Sequence, residues 1–286
     1  MTTKELGDSV RHRLQNLSLK TGSTYQSLQT TFILERLVAR LVSDELLSEH
    51  LVFKGGFVGL KIYASPRFTV DVDAIVSGMR IDSISGILPQ IVEADLGDGV
   101  WFRFDRRDSL PMQNHYAGIR FSFRAGLGEV GSRLERISLV HLDIGVGDPV
   151  TAEPVEHEFV GLLPSKVDLS WKVYPIESIV AEKLHALYVF GDLNSRAKDL
   201  YDLAIFLPKT DPQILIAALI RCFAFRETVL PMSFTEVLRR LDTRALRRGW
   251  TSATASLREK PVFEEILDSI LSSLTEVDVL LRESQR

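Results

Sequence analysis

The chain has 286 residues and a mass of 32.2 kDa, enough for one large domain or two modest ones. At 45% hydrophobic and 25% charged residues it has ordinary globular composition, which excludes a disordered or collagen-like chain. A formal net charge of −4 argues against a uniformly basic nucleic-acid binder, and the single cysteine, Cys222, excludes an internal disulfide or a multi-cysteine zinc site. The apolar neighbours of Cys222, Ile220, Phe223 and Phe225, point to a buried thiol rather than a nucleophile.

No stretch approaches the ~18 apolar residues of a membrane span, and the amino-terminal residues carry no signal-peptide core, so a soluble cytoplasmic protein is expected. In chain order, helices are predicted over 4–19 and 24–49, the second from the helical spacing of Phe32, Leu34, Leu37, Val38 and Leu41. Leu51–Gly56 enters a glycine turn with a short helix beyond it. A β-rich alternating stretch then covers 68–76, and a helix is expected over 81–95. Further strands are predicted over 100–106, 116–125 and 135–146. Helical patterns follow over 176–190, 196–207, 212–226, 233–247 and 260–282, broken at Gly191, Pro208, Pro231 and Pro261. The expected fold class is therefore α/β: a mixed-sheet domain over 1–165 with leading helices in 1–50, followed by an all-helical domain over 166–286.

The chemistry concentrates in Gly55-Gly56 and Asp71-Val72-Asp73. Residues i and i+2 of a strand share a face, so the two carboxylates project together and repel unless a cation lies between them. Mg²⁺ suits that pair, with triphosphate oxygens completing its shell, while glycine backbone N–H groups can approach a phosphate closely. Asp143, within the apolar strand Val140–Val146, is a costly acid to bury without a partner and makes a two-metal phosphoryl-transfer site plausible. Asp148, before Pro149, is a turn former. In the helical half, Lys183 sits in an apolar helix and needs a partner, and Lys198, Asp199 and Asp202 are spaced to share a helix face.

Gly-Gly, a gap of 14 residues, Asp-x-Asp and a later strand aspartate resemble the polymerase-β-type nucleotidyltransferase superfamily. More narrowly, Lys54-Gly55-Gly56, Arg67-Phe68-Thr69-x-Asp71-x-Asp73, Leu142–Gly145, Ala181–Leu187 and Arg196–Leu203 resemble the AbiEii/MenT toxin family. The resemblance implies a Mg²⁺-dependent enzyme with Asp71, Asp73 and Asp143 as metal ligands, and Lys183 and Asp202 completing the catalytic set. It implies that Lys54, Gly55, Gly56, Thr69, Lys183, Arg196, Lys198 and Asp199 contact the nucleotide. Phe57 stands where the family carries a small or hydroxylated residue. The activity implied is transfer of a nucleoside monophosphate from a nucleoside triphosphate to the 3′ end of tRNA. That makes a toxin that blocks translation until a cognate antitoxin restrains it, with the site in the cleft between the two domains. Protein nucleotidylation and a non-catalytic nucleotide- or partner-binding module are the alternatives. A metal-dependent nuclease is disfavoured because Ala74-Ile75-Val76 follows Asp73 where such sites place a lysine. Phosphorylation of Thr69, on the same strand face as Asp71, would add negative charge beside the acids and silence the enzyme.

Gly126–Gly131 matches a dinucleotide-binding fingerprint by letter, but a half-polar strand precedes it and another strand follows, so a hairpin loop is expected. His185 is expected to be a core or surface residue rather than a ligand. Two basic stretches could meet RNA. Residues 101–124 interleave five arginines with aromatic residues, and 236–260 hold six arginines and Lys260 against three acids.

Overall fold

A computed structural model describes residues 2–113, 116–131, 137, 139–146, 153–164, 169–193 and 195–284. The chain divides into one unit of Met1–Val58, Phe68–Asp148 and Val155–Val173, and a second of Gly59–Arg67, Pro149–Pro154 and Tyr174–Arg286. Asp148 and the expected boundary at 165/166 lie outside the described residues.

Helix α1 (Thr3–Thr21) starts in a capping box: Thr2 accepts from the Glu5 amide at 3.2 Å, and the Glu5 carboxylate accepts from the Thr2 amide at 2.8 Å. Helix α2 (Tyr25–Ser43) is buried from Thr31 to Leu41. The single helix expected over 24–49 is interrupted at Asp44. This residue is extended (φ −91°, ψ 125°), and its carboxylate caps α3 (Glu45–His50) by accepting from the Leu47 amide at 3.0 Å.

Strand β1 (Leu51–Lys54) leads into α4 (Gly55–Lys61), and β2 (Asp71–Val76) follows. The helix expected over 81–95 is two short ones, α5 (Ile81–Ser85) and α6 (Leu88–Glu93), parted at Gly86. Then come β3 (Val100–Gln113), β4 (Tyr116–Leu127), β5 (Leu139–Val146), β6 (Val155–Glu158) and β7 (Ser170–Val173). The mixed seven-stranded sheet has the order β3-β4-β5-β2-β1-β7-β6, with β2–β5 and β1–β7 parallel and the other pairs antiparallel.

Around the centre of the sheet, β2, β4 and β5 place apolar and charged residues on opposite faces. Val72, Ala74, Phe121, Phe123, Leu142 and Ile144 are buried on one face, leaving Asp71, Asp73, Arg120, His141 and Asp143 on the other. Each buried aromatic or branched side chain contributes about 1.5–3 kcal/mol, so the apolar set fixes the register and thereby the polar row. Of the aromatic residues expected to interleave with arginines over 101–124, Phe104 is 39% exposed and three are core. Phe102, Phe121 and Phe123 are core, at 1%, 0% and 0% exposure. Arg106 and Arg124 both bind Asp105, at 2.8 and 2.9 Å. Gly126 and Leu127 end β4, and Gly128 (φ 76°) donates its amide to the Gly99 carbonyl at 2.8 Å, so the fingerprint-like run belongs to a strand end.

The second unit is helical: α7 (Ile176–Phe190), α8 (Ala197–Phe206), α9 (Pro212–Phe225), α10 (Phe234–Arg240), α11 (Arg244–Ala253) and α12 (Phe263–Ser284). The expected helix over 233–247 is split because α10 ends at Leu241, in extended conformation. Asp211 caps α9, its carboxylate accepting from Gln213 and Ile214 at 2.9 and 3.1 Å. Asp278 of α12 caps α10 from outside, accepting from the Ser233 hydroxyl at 2.6 Å and the Phe234 amide at 2.7 Å. Leu184, Leu200, Leu203, Leu219, Phe223, Ile270 and Leu274 form its core, together with Cys222 at 1% exposure. No described helix is long and apolar enough to cross a membrane.

Candidate active site

In the sheet unit, one row of side chains crosses four neighbouring strands. Lys54 of β1 pairs in register with Asp73 of β2, Asp73 with Asp143 of β5, and Asp143 with Arg120 of β4. A second row, two residues along, joins Asp71 to His141 and His141 to Ser122. The register thus brings Asp71, Asp73 and Asp143 onto one patch of one face.

Their surroundings differ. Thr69 donates its hydroxyl to Asp71 Oδ1 at 2.5 Å. Gly55 has φ 72°, and a Cβ there would lie 2.0 Å from Asp73 Oδ2, so the glycine makes room for the Asp73 carboxylate. Asp143 is held by Arg120, whose Nε and Nη2 donate to its two oxygens at 2.7 and 2.6 Å. Those hydrogen bonds chiefly, with the fields of Asp143, Asp71 and Asp73 adding, hold Arg120 above the usual guanidinium range. Burial first, then the Arg120 charge, pushes His141 below the usual imidazole range, so it is a neutral acceptor or donor beside Ser122 Oγ at 3.0 Å.

Among the described residues no group of three or more His, Cys, Asp or Glu side chains could hold a metal ion. Asp71 and Asp73 share a strand face as a carboxylate pair that a hard cation suits, and both oxygens of Asp143 accept from Arg120. Phe57 lies away from this patch. It is fully buried in the core, with its ring 5.9 Å from that of Trp171.

The helical unit carries a second cluster. Lys183 of α7 donates to Asp199 at 2.7 Å and to Asp202 at 2.9 Å, both on α8, and Arg196 donates to Asp199 at 2.5 Å. Arg67 forks onto Asp202 at 3.1 and 2.9 Å. Burial alone would lower Lys183, but the two aspartates outweigh it and hold the ammonium above its usual range. Burial would likewise raise Asp199, but Lys183 and Arg196 bring it down to about 2. Asp202, 1% exposed, accepts from two cations, Arg67 and Lys183, and so holds Lys183 in place. Lys198 is on the exposed face of α8, away from the buried Asp199 and Asp202. His185 is core: Arg226 can only donate, so Nδ1 accepts at 3.2 Å and Nε2–H faces Thr228 Oγ1 at 3.1 Å.

Arg120 and Arg67 are the participants that motif reading underrates. Arg67 is visible only as the head of the Thr69–Asp73 motif. Arg120 carries no signal beyond a position on the polar face of a strand, because cross-strand register is not written in local sequence.

The model of the AbiEii family, nucleotidyl transferase toxins of type IV toxin–antitoxin systems, matches residues 36–269. Among solved structures, JHP933 from Helicobacter pylori is similar at 14% identity and a TM-score of 0.54, over 92% of this chain and 96% of its own. A candidate nucleotidyltransferase from H. pylori is similar at 13% identity and a TM-score of 0.52, over 91% and 96%. No curated protein matches the chain. Fold and family together define a nucleotidyltransferase. The chain belongs to the AbiEii nucleotidyl transferase toxin family.

Proposed function

We propose that the protein transfers a nucleoside monophosphate from a nucleoside triphosphate to the 3′ end of an RNA, tRNA by the family resemblance, and so blocks translation until a cognate antitoxin restrains it. The reading is carried by Asp71 and Asp73 on one face of a strand whose neighbour begins the Gly55-Gly56 turn. The acceptor hydroxyl oxygen forms a bond to the α-phosphorus, the bond to the bridging oxygen breaks, pyrophosphate leaves, and the hydroxyl proton passes to solvent. Asp71 and Asp73 would hold Mg²⁺, which when bound neutralises phosphate charge and acidifies the attacking hydroxyl. Thr69 orients Asp71, and Lys54 and the backbone of Gly55 and Gly56 face phosphate oxygens. Lys183 uses two N–H groups on Asp199 and Asp202, leaving the third for the triphosphate. Asp202 and Asp199 fix that ammonium, with Arg196 as a further phosphate contact. Exposed Arg239, Arg240, Arg244 and Arg248 of α10 and α11 supply a basic surface for RNA.

Incubating the protein with Mg²⁺, total tRNA and each α-phosphate-labelled nucleoside triphosphate tests this, with Asp71→Ala as control. Label on RNA from the intact protein alone is expected. Label on protein would move the acceptor to a polypeptide, and no label with any nucleotide would overturn the transfer reading in favour of a binding module.

A further inference from the structure

The row Lys54–Asp73–Asp143–Arg120 alternates in a definite way: a cation at each end and two carboxylates in the middle, on consecutive strands in direct register. Neighbouring strands lie about 4.8 Å apart, so Asp73 and Asp143 stand as like charges side by side, flanked in register by Lys54 and Arg120. A second divalent ion would require Asp143 to turn an oxygen toward Asp73. Instead both its oxygens accept from one guanidinium, at 2.7 and 2.6 Å, in the parallel fork that makes arginine–carboxylate pairs strong and directional. The pair is partly sheltered, with Asp143 14% and Arg120 34% exposed at the side chain, so screening weakens it less than a surface pair.

We propose that Arg120 fills the place of a second divalent ion: the site takes one such ion, at Asp71 and Asp73, and Asp143 is the counter-ion of Arg120 rather than a metal ligand. This rests on the nucleotidyl-transfer reading of the same site and sets its metal stoichiometry at one.

The test counts Mn²⁺ bound to the full chain from the loss of the free-ion electron paramagnetic resonance signal, with circular dichroism confirming the fold of each variant. One equivalent is expected for the wild type and none for Asp71→Asn. One is expected for Asp143→Asn, with affinity within about threefold of wild type. Arg120→Met should bind two, because the released Asp143 carboxylate then faces Asp73. If Asp143→Asn fails to fold, the Arg120→Met count decides: two supports the assignment and one overturns it. Two equivalents in the wild type with one lost in Asp143→Asn overturns the assignment while leaving nucleotidyl transfer standing. No Mn²⁺ bound by the wild type overturns both.

Discussion

Arg67 and Asp202 meet in a two-pronged ion pair at 3.1 and 2.9 Å, and the same Asp202 carboxylate also receives Lys183 at 2.9 Å. Three charged side chains, each almost fully enclosed, are thus mutually dependent. Replacing Asp202 by Asn leaves two cations against a neutral amide and is expected to cost about 3–5 kcal/mol of stability. Arg67→Met should be costly too, and the double variant should cost less than the sum, since the pair is removed together. Urea denaturation of the four proteins measures the coupling. Additive losses would show that the two residues act independently.

Acid should destabilise the protein in two separate windows. Burial and then Arg226 hold folded His185 down to about 4, against 6.5 in the unfolded chain. As pH falls from 6.5 toward 4 the unfolded chain takes up a proton that the folded chain refuses, and stability falls by up to roughly 3 kcal/mol at ~1.4 kcal/mol per pKa unit. Asp199, at about 2 when folded against 3.8, adds stability that is complete above pH 3.8 and is lost as pH drops toward 2. Unfolding free energies at pH 7, 5 and 3 should show both slopes. His185→Gln should flatten only the upper one and Asp199→Asn only the lower.

Gly55 and Gly22 share a φ of 72°, but only Gly55 has a neighbour in the way. Gly22→Ala should therefore cost about 1–2 kcal/mol for the left-handed backbone alone and leave the site untouched. Gly55→Ala must also displace the Asp73 carboxylate, and Mn²⁺ affinity is expected to fall at least tenfold. Equal Mn²⁺ binding in the two variants would contradict the close approach of Asp73 to the turn.

Thr69 is 8% exposed and spends its hydroxyl on Asp71. A carboxylate at that position brings a third negative charge to the β2 face that must receive a triphosphate. Thr69→Glu is expected to lower nucleotidyl transfer at least tenfold further than Thr69→Val, which is isosteric and uncharged and loses only the hydrogen bond that orients Asp71. The initial rate of label transfer to RNA measures this, and indistinguishable rates would remove the electrostatic argument.

Periodicity made most of the helices legible. α7, α9 and α12 appear in the sequence with ends within a few residues, because their apolar stripes are long and their stops are Gly or Pro. It misled where a polar residue inside a periodic run turns out to be a cap: Asp44 looks like a solvent-facing helix position and is the start of a new helix. β6 and β7, four residues each, are too short for alternation to register, so the sequence predicts neither. The acids at 71, 73 and 143 stood out by type and spacing. What occupies them did not, because Arg120 reaches Asp143 through pairing of strands 23 residues apart in sequence. Likewise the partner needed by Lys183 could be anticipated, while the role of Arg67 in holding that partner could not.

Asp278 gathers the start of α10 from the last two turns of α12, accepting from Ser233, Phe234 and Thr235 at once. The end of α12 is therefore a latch for a segment synthesised more than forty residues earlier. During translation α10 has no external cap until the last turns of α12 emerge from the ribosome, so this part of the helical unit closes only once α12 has been made. Trimming back past Asp278 should undo that closure abruptly, whereas trimming the last few residues should pass unnoticed.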